Sequence, residues 1–237
     1  MKAVILAGGK GTRLAPYTYI LPKPMMPVGD HAILEVLLKQ LSHSGVKEVV
    51  LTVGHLAHVM QAYFLDGQQY GLNISYSVES QPMGTAGPLT LVDSLDETFL
   101  VCNGDVLTLL DVNDLIKFHR EQGAACTIAS HLRTHKINLG VLEDNGQPNR
   151  VARYIEKPTL DFRVSMGIYV FEPKVINYIP RGVHYDFPAL VQDLLAANEI
   201  VVSYPYSGYW RDLGDYEDYM AAIEDFETMR GQFLREE

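Results

Sequence analysis

The sequence has few cysteines and no excess of positive charge, and each shortage excludes a class of protein. Two cysteines among 237 residues, Cys102 and Cys126, are too few for the disulfide framework of a small secreted domain. Lysine and arginine together number 19 against 29 aspartates and glutamates, which gives a formal net charge of −10. A general nucleic-acid-binding surface is therefore not expected. An anionic small molecule stays compatible with this charge, because a local basic cluster can lie on an acidic protein.

Long hydrophobic runs are also missing from the sequence. The apolar run at the start of the chain ends at Gly8 and Gly9, which makes it too short for the core of a secretory signal or for a membrane span. We therefore expect no membrane partner and a location in the reducing cytoplasm. No tract rich in proline, glycine or serine divides the chain, and no internal repeat is present. A single domain over residues 1–237 is predicted.

Short β-branched runs alternate with amphipathic segments along the chain. One helix is predicted between Asp30, its expected N-cap, and Gly45, its expected stop. The other predicted helices cover residues 56–65, 111–122, 187–196 and 214–229. The predicted strands cover residues 3–6, 49–53, 73–78, 98–102, 125–129, 139–142, 151–155, 165–171 and 200–204.

This order of elements predicts an α/β fold. The strand–helix alternation of the first half is typical of a parallel sheet with helices on both faces. The consecutive strands between residues 125 and 171 predict a mixed portion, so we expect a mostly parallel mixed central sheet with an embedded β-rich lobe. In open sheets of this kind, ligands bind beyond the carboxyl ends of the strands. Functional motifs should therefore follow strands directly.

A glycine-rich loop follows the first predicted strand, with the sequence Leu6-Ala7-Gly8-Gly9-Lys10-Gly11-Thr12-Arg13. Glycines let successive backbone N–H groups come close to a phosphate, and Lys10 and Arg13 add positive charge. The loop lacks the third glycine of a dinucleotide-binding fingerprint and the Gly-Lys-Ser/Thr ending of a Walker A loop. The alternative is a plain turn with charges on its surface.

A lysine between two prolines follows in the segment Leu21-Pro22-Lys23-Pro24-Met25. Proline fixes its own φ angle and restricts the residue before it, so Lys23 lies in a stiff, extended backbone. This arrangement holds an ammonium group in place at modest entropic cost. Together with Arg13, Lys23 is a candidate for the second cation of a triphosphate site.

The two segments LAGGKGTRLAPYT and LPKPMMPV together resemble the signature of the nucleotide-sugar pyrophosphorylases, the sugar-1-phosphate nucleotidyltransferases. The resemblance covers nearly the whole chain. Within the family, the run GTAGPL at residues 84–89 is most similar to mannose-1-phosphate guanylyltransferases. The further matching segments are ESQPMGTAGPL at 79–89, NGD at 103–105, EKP at 156–158, MGIYVF at 166–171 and WRDLGD at 210–215.

The resemblance implies a Rossmann-like three-layer fold with a nucleotide-binding part at about residues 1–122 and a sugar-phosphate-binding part at about 123–237. Many family members carry a left-handed β-helix after the catalytic domain. This chain ends at Glu237, so we expect the nucleotidyltransferase domain alone, without acyltransferase activity. Relatives are often dimers or tetramers, which makes a homo-oligomer an expectation as well.

The implied reaction is the attack of a sugar 1-phosphate on the α-phosphorus of a nucleoside triphosphate, which releases pyrophosphate. The resemblance implies catalytic roles for Arg13, Lys23, Asp105, Lys157 and Asp212. It places the sugar phosphate on Asn103, Gly104, Gly140, Glu156 and Lys157. It places the nucleotide on Leu6, Ala7, Gly8, Gly9, Gly11, Thr12, Arg13, Lys23, Glu79, Gln81, Gly84 and Thr85.

Two polyanions must meet in such a reaction, so the site needs a hard cation. Mg²⁺ prefers oxygen ligands and usually takes one or two carboxylates together with substrate phosphates. Asp105 follows a predicted strand and Asp212 follows Trp210, and the resemblance implies both as magnesium ligands. They are far apart in the sequence, so their meeting is a prediction about the fold. Taken singly, either aspartate is also typical of a helix cap or a turn.

The sequence leaves the base and the sugar open between alternatives. A carboxylate such as Glu79 can accept the paired donors of guanine, whereas an amide such as Gln81 also suits uracil or thymine. Glu79 and the subgroup resemblance favour GTP over UTP or dTTP. Family members for mannose and glucose often carry Asn-Ala-Gly where this chain has Ser165-Met166-Gly167. A mannose- or heptose-type sugar 1-phosphate is favoured, with glucose 1-phosphate as the alternative.

Two other functions are alternatives to sugar-1-phosphate nucleotidyl transfer. A regulatory subunit that senses nucleotide sugars would be expected to lack at least one of the implied catalytic residues, and all of them are present. A glycosyltransferase would be expected to carry paired carboxylates at a strand end, where this chain has Asn103-Gly104-Asp105. Sugar-1-phosphate nucleotidyl transfer is therefore the leading hypothesis.

Overall fold

A computed structural model describes residues 1–235 of the chain. Its helices are α1 (Ile33–His43), α2 (Ala57–Phe64), α3 (Val112–Gln122), α4 (Phe187–Ala196) and α5 (Tyr216–Leu234). Its strands are β1 (Lys2–Ala7), β2 (Pro27–Val28), β3 (His31–Ala32), β4 (Glu48–Val53), β5 (Asn73–Val78), β6 (Phe99–Asn103), β7 (Val106–Thr108), β8 (Cys126–Lys136), β9 (Val141–Asp144), β10 (Val151–Ile155), β11 (Thr159–Phe171), β12 (Val201–Tyr206) and β13 (Trp210–Asp212).

The centre of the structure is a mixed sheet, which within residues 1–235 has seven strands in the order β12-β8-β11-β6-β1-β4-β5. Neighbouring strands pair in parallel from β6 through β1 and β4 to β5, and β12 pairs in parallel with β8. Strand β11 runs antiparallel to both of its neighbours, β6 and β8. The predicted mostly parallel mixed sheet is confirmed.

Strand β1 lies in the middle of the sheet and is buried on both faces. The side chains of Ala3, Val4 and Ile5 are fully buried. Ala3 and Ile5 pack with residues of α1, α2 and α3 on one face, and Val4 packs with residues of α4 and of the segment 86–95 on the other. Helices therefore cover both faces of the sheet, as a parallel sheet requires. The predicted Rossmann-like three-layer arrangement is confirmed.

The β-rich part of the chain is longer than the hydrophobic pattern predicted. Strands β8 and β11 continue as a paired arm from Ser130↔Ser165 out to Lys136↔Thr159, where most of their side chains are exposed. The hydrophobic pattern predicts only the inner half of each strand, because the outer halves have no buried face and therefore no alternation of apolar and polar residues. Strands β9 and β10, which lie between β8 and β11 in the sequence, pair with each other as a separate hairpin.

The predicted N-cap of α1 is wrong. Helix α1 begins at Ile33 after Ala32, because Asp30 lies in the tight turn between β2 and β3. The Asp30 carboxylate instead pairs with Arg230 of α5 at 2.7 Å. Helix α5 is capped by the side chain of Asp215, which accepts a hydrogen bond from the Asp218 N–H. The helix continues past the predicted end at residue 229 to Leu234, and its buried Phe226 and Phe233 pack with residues of α1.

Both cysteines lie in the interior of the protein. Cys102 of β6 and Cys126 of β8 are buried free thiols, and burial raises the pKa of each. Over residues 1–235, no helix has the length and apolar character needed to cross a membrane.

Candidate active site

A cavity of about 340 Å³ opens at the carboxyl ends of β1, β4 and β6. This is the edge at which ligands of parallel sheets bind. Its lining includes ten of the predicted site residues: Leu6, Ala7, Gly8, Gly9, Lys23, Glu79, Gly84, Thr85, Asn103 and Asp105. The structure adds six residues that the sequence analysis did not single out: Pro24, Thr52, Pro82, Met83, Pro88 and His184.

The glycine loop after β1 forms one wall of this cavity. A Cβ added at Gly8 would collide with Oε1 of Glu79, whereas one added at Gly9 would meet no atom within 4 Å. Gly11 has a φ of +60°, a conformation that glycine adopts without strain. Thr18 holds this turn by donating a hydrogen bond from Oγ1 to the Gly11 carbonyl at 2.9 Å. The loop is thus held at Gly11 and open to the cavity at Gly9.

The structure brings Asp105 and Asp212 together through the pairing of β7 with β13. Asp212 pairs with Val106 in the antiparallel register, and the Leu213 N–H donates to the Asp105 carbonyl at 3.1 Å. The ammonium of Lys23 contacts Oδ2 of Asp105 and lies 4.0 Å from Oδ1 of Asp212. The structure thus brings these two distant aspartates within 4.0 Å of the same ammonium group.

Arg13 approaches the same carboxylates from the glycine loop. Its guanidinium and the Asp212 carboxylate both lie next to Gly214, where a Cβ would come within 3.2 Å of Arg13 Nη1 and 3.4 Å of Asp212 Oδ2. Burial and the neighbouring Asp105 carboxylate raise the pKa of Asp212, and the positive charges of Lys23 and Arg13 oppose this rise. Two cations and two carboxylates thus share one small volume.

Glu79 faces the cavity from the loop after β5. Its Oε2 accepts a hydrogen bond from the Met83 N–H at 3.0 Å, and burial raises its pKa more than this hydrogen bond lowers it. Gln81 is exposed and lies outside the cavity lining, with Nε2 donating to the Gly182 carbonyl at 3.4 Å. Of the two candidate base-reading side chains, the structure places Glu79 in the cavity.

The predicted sugar-phosphate residues fall into two groups. Asn103 and Gly104 lie at the end of β6, where the Gly104 N–H donates to the Leu6 carbonyl at 2.9 Å. The Asn103 amide packs against Gly167, whose φ of +72° accompanies a register shift in β11. These residues therefore lie beside the glycine loop.

The second group lies on the β-rich hairpin, outside the cavity lining. Gly140 faces the Tyr154 ring, and the Tyr154 hydroxyl donates to Oε2 of Glu156 at 2.9 Å. Lys157 is exposed, has a positive φ and pairs with Glu156 at 3.8 Å. Gly140, Glu156 and Lys157 thus form a local cluster of their own, while Thr12 is exposed on the glycine loop.

The donor set around Lys23 fits a hard divalent cation. Asp105 and Asp212 present carboxylate oxygens toward one positive group, and such oxygens are the ligands that Mg²⁺ prefers. Over residues 1–235, no group of three or more His, Cys, Asp or Glu side chains is placed to hold a metal ion. A pair of carboxylates is consistent with an ion that takes its other ligands from water and phosphate.

Comparisons with known proteins agree with this geometry. A family model described as nucleotidyl transferase matches residues 2–229. The chain belongs to this family. The chain is 37% identical over 94% of its length to a UTP–glucose-1-phosphate uridylyltransferase of Synechocystis sp.. It is 34% identical over 93% of its length to a mannose-1-phosphate guanyltransferase of Yarrowia lipolytica.

The chain spans 62% of the length of each of these two curated relatives. The crystal structure of HddC from Yersinia pseudotuberculosis has the same fold, with a TM-score of 0.74 and 24% identity over 95% of this chain and 99% of that one. The family resemblance predicted from the sequence motifs is confirmed.

Proposed function

We propose that this chain transfers a nucleoside monophosphate from a nucleoside triphosphate to a sugar 1-phosphate, with release of pyrophosphate and dependence on Mg²⁺. The favoured donor is GTP and the favoured acceptor is a mannose- or heptose-type sugar 1-phosphate. Residues 1–122 would bind mainly the nucleotide and residues 123–237 mainly the sugar phosphate. The observation that carries the proposal is the meeting of Arg13, Lys23, Asp105 and Asp212 beside the glycine loop.

The chemistry needs no nucleophile from the protein, because the sugar phosphate already carries a nucleophilic oxygen. This oxygen attacks the α-phosphorus, and pyrophosphate leaves from the opposite side. Catalysis is then a matter of alignment and of charge stabilisation. Arg13 and Lys23 would contact the triphosphate and stabilise the charge that builds up on departing pyrophosphate. The open backbone at Gly9 offers N–H groups to the same phosphates.

Asp105 and Asp212 would hold the magnesium ion. When bound, Mg²⁺ supplies positive charge that neutralises phosphate oxygens of both substrates. Asp212 ends β13 and Asp105 directly precedes β7, so the pairing of these two strands and the hydrogen bond from the Leu213 N–H to the Asp105 carbonyl fix the two residues next to each other. A rigid pair of ligands is suited to holding two polyanions in one orientation.

On the sugar side, Lys157 would hold the phosphate, and Glu156 with the backbone at Gly140 would bind sugar hydroxyl groups. These three residues form one cluster on the hairpin through Tyr154. Asn103 would contribute from the end of β6, where its amide packs against Gly167 of β11. A sugar phosphate that bridges the sheet edge and the hairpin would contact both groups.

The base assignment rests on Glu79. Guanine presents N1–H and N2–H₂ as a donor pair that one carboxylate can accept. The Glu79 carboxylate lies in the cavity and Gln81 does not line it, which supports GTP over UTP. The relatives' names include both a uridylyltransferase and a guanyltransferase, so a UTP- and glucose-1-phosphate-dependent reaction is the second candidate.

A pyrophosphate-release assay with Mg²⁺ tests the function directly. GTP, UTP, dTTP, CTP and ATP are crossed against mannose, glucose, galactose and heptose 1-phosphates. We expect turnover with GTP and a mannose- or heptose-type acceptor, because Glu79 accepts the guanine donors. Turnover that is strongest with UTP and glucose 1-phosphate would support the second candidate. Binding of nucleotide without turnover in any combination would contradict the proposal.

Replacing Glu79 by Gln tests the base assignment by itself. The amide keeps the shape of the carboxylate but offers one acceptor and one donor where guanine needs two acceptors. We expect kcat/KM with GTP to fall by about 10- to 100-fold, the cost of a lost hydrogen bond to a charged group, with a much smaller change for UTP. Initial rates of pyrophosphate release give both values.

The matched comparison is Gln81→Ala, at the other candidate base-reading position. Because Gln81 is exposed and outside the cavity lining, this change should leave the ratio of GTP to UTP activity nearly unaltered. An equal loss with both nucleotides in Glu79→Gln, or a changed ratio in Gln81→Ala alone, would remove Glu79 from base recognition.

A further inference from the structure

Helix α4 begins with an aspartate that does not cap its own helix. Asp186 occupies the N-cap position, where aspartate usually accepts hydrogen bonds from N–H groups of the first helical turn. Its side chain makes no such bond. Oδ1 of Asp186 instead accepts from the backbone N–H of Thr85 at 2.8 Å and from the Thr85 hydroxyl at 3.1 Å. The carboxylate is therefore directed at a loop 101 residues away in the sequence.

Thr85 caps helix α4 in place of Asp186. Its Oγ1 accepts a hydrogen bond from the backbone N–H of Phe187, the first residue of α4, at 2.9 Å. The single hydroxyl proton of Thr85 is used in the bond to Asp186, so both functions of this hydroxyl are engaged within the protein. We call this reciprocal pair, Asp186 and Thr85, the crossed cap.

The backbone next to the crossed cap joins the same two segments. The Tyr185 N–H donates to the Met83 carbonyl at 2.9 Å, and the Tyr185 carbonyl accepts from the N–H groups of Ala86 and Gly87, each at 2.9 Å. Gly84 has a φ of +77°, and a Cβ there would lie 2.7 Å from both the Tyr185 carbonyl and Oδ1 of Asp186. The loop is thus held against the start of α4 at every residue from Met83 to Gly87.

This loop also holds the side chain that we assign to base recognition. The Met83 N–H donates to Oε2 of Glu79, while the Met83 carbonyl accepts from Tyr185 on its other side. Met83, Gly84 and Thr85 line the cavity together with Glu79. The position of the Glu79 carboxylate therefore depends on a loop whose own position is set from α4.

We propose that Asp186 and Thr85 are positioning residues for nucleotide discrimination, acting through Met83 on Glu79. The inference rests on the proposed function for the identity of the nucleotide site, but it concerns residues that do not themselves need to contact the base. His184 also lines the cavity, and its Nδ1 lies 3.8 Å from Oδ2 of Asp186. A displaced Asp186 would therefore disturb two parts of the cavity wall.

The test is the equilibrium binding of fluorescent GTP and UTP analogues in the absence of sugar phosphate, with thermal unfolding as a parallel measurement. In Asp186→Ala, we expect the dissociation constant for GTP to rise about tenfold, while that for UTP changes little, because the Glu79 carboxylate loses its fixed position. Asp186→Asn keeps an acceptor oxygen for the Thr85 N–H and should restore most of the preference.

Two substitutions at Thr85 form a matched pair of variants, one that removes the hydroxyl and one that keeps it. Thr85→Val has the same shape but loses both hydroxyl bonds, and it should lose base preference as Asp186→Ala does. Thr85→Ser keeps the hydroxyl and should resemble the wild type. The double variant should be no worse than either single change, because the two residues form one unit. If Asp186→Ala fails to fold, the comparison of Thr85→Val with Thr85→Ser still decides.

A purely structural cap would give a different result. A lower melting temperature in Asp186→Ala and Thr85→Val with the GTP-to-UTP preference unchanged would overturn the inference, as would a wild-type chain without any base preference. Failure of the proposed function is visible separately, as binding without pyrophosphate release. If base preference then still disappears in Asp186→Ala, the positioning role holds although the proposed reaction does not.

Discussion

Asp105→Asn and Asp212→Asn are each expected to lower the rate of pyrophosphate release by about a thousandfold or more, the scale seen when a main source of charge stabilisation is removed. An amide has nearly the shape of the carboxylate but carries no charge, so it is a poor ligand for a hard cation. Both side chains face Lys23, Asp212 from the end of β13 and Asp105 from the position directly before β7. Initial rates over a magnesium titration, at saturating substrates, measure the effect.

The control is Asp96→Asn, an exposed aspartate that precedes β6 at the end opposite Asp105. It removes the same charge from the same part of the chain and should retain wild-type turnover and magnesium dependence. Circular-dichroism melting curves of the three variants would show whether the fold is intact. Near-wild-type rates in both Asp105→Asn and Asp212→Asn would contradict their assignment as metal ligands.

The central strands were predictable because each has a strong local signal. Strand β5 has the predicted bounds, and β1, β4 and β6 differ from prediction by a residue or two at their ends. Strands β1, β4 and β6 are buried on both faces, which requires continuous apolar runs in the sequence, whereas β5 lies at the edge of the sheet and alternates between apolar and polar residues. The arm of β8 and β11 was underpredicted because its outer half is held by pairing between strands while most of its side chains stay in solvent. Such pairing leaves no hydrophobic pattern to detect.

The start of α1 shows a different limit of sequence analysis. Asp30 followed by an amphipathic run is a typical N-cap signal. The tight turn between β2 and β3 displaces the helix start, and Arg230 provides another partner for the carboxylate. That partner lies on the last helix, so nothing within the local segment could have indicated it. A cap signal therefore predicts that a polar turn is present, but not which group the side chain contacts.

Some residues of the candidate site carry a local sequence signal, whereas others are brought together only by the tertiary structure. Gly8 and Gly9 of the glycine loop, Lys23 and Glu79 carry local signals or belong to matched motifs, and these four residues line the cavity. The proximity of Asp105 and Asp212 was predicted by resemblance and depends on a pairing of distant strands. The crossed cap was missed, although Asp186 before a helical run is a visible signal, because its partner Thr85 is fixed by tertiary structure.

Lys23→Met is expected to lower turnover by about 100- to 1,000-fold, the cost typical of removing one preorganised stabilising group. Lys23 is held on two sides. The aliphatic part of its side chain packs against Gly11, where a Cβ would come within 3.0 Å of Lys23 Cβ, and its ammonium contacts Asp105. The side chain is mostly buried, with 12% of its surface exposed, so its charge acts with little screening by solvent. Methionine keeps the length of the side chain and removes the charge.

Lys23→Met is expected to strengthen metal binding in the absence of nucleotide, although it slows turnover. The Lys23 ammonium and a divalent ion would compete for the oxygens of Asp105 and Asp212, so Lys23→Met should bind Mn²⁺ more tightly than the wild type. Electron paramagnetic resonance of free Mn²⁺ measures this affinity without any turnover.

Lys47→Met is the control, because it makes the same charge change at an exposed position before β4, at the far end of the sheet. It should alter neither turnover nor Mn²⁺ binding. Slower turnover together with weaker Mn²⁺ binding in Lys23→Met would indicate that the lysine organises the carboxylates rather than competing for them. Unchanged turnover would exclude Lys23 from the triphosphate site.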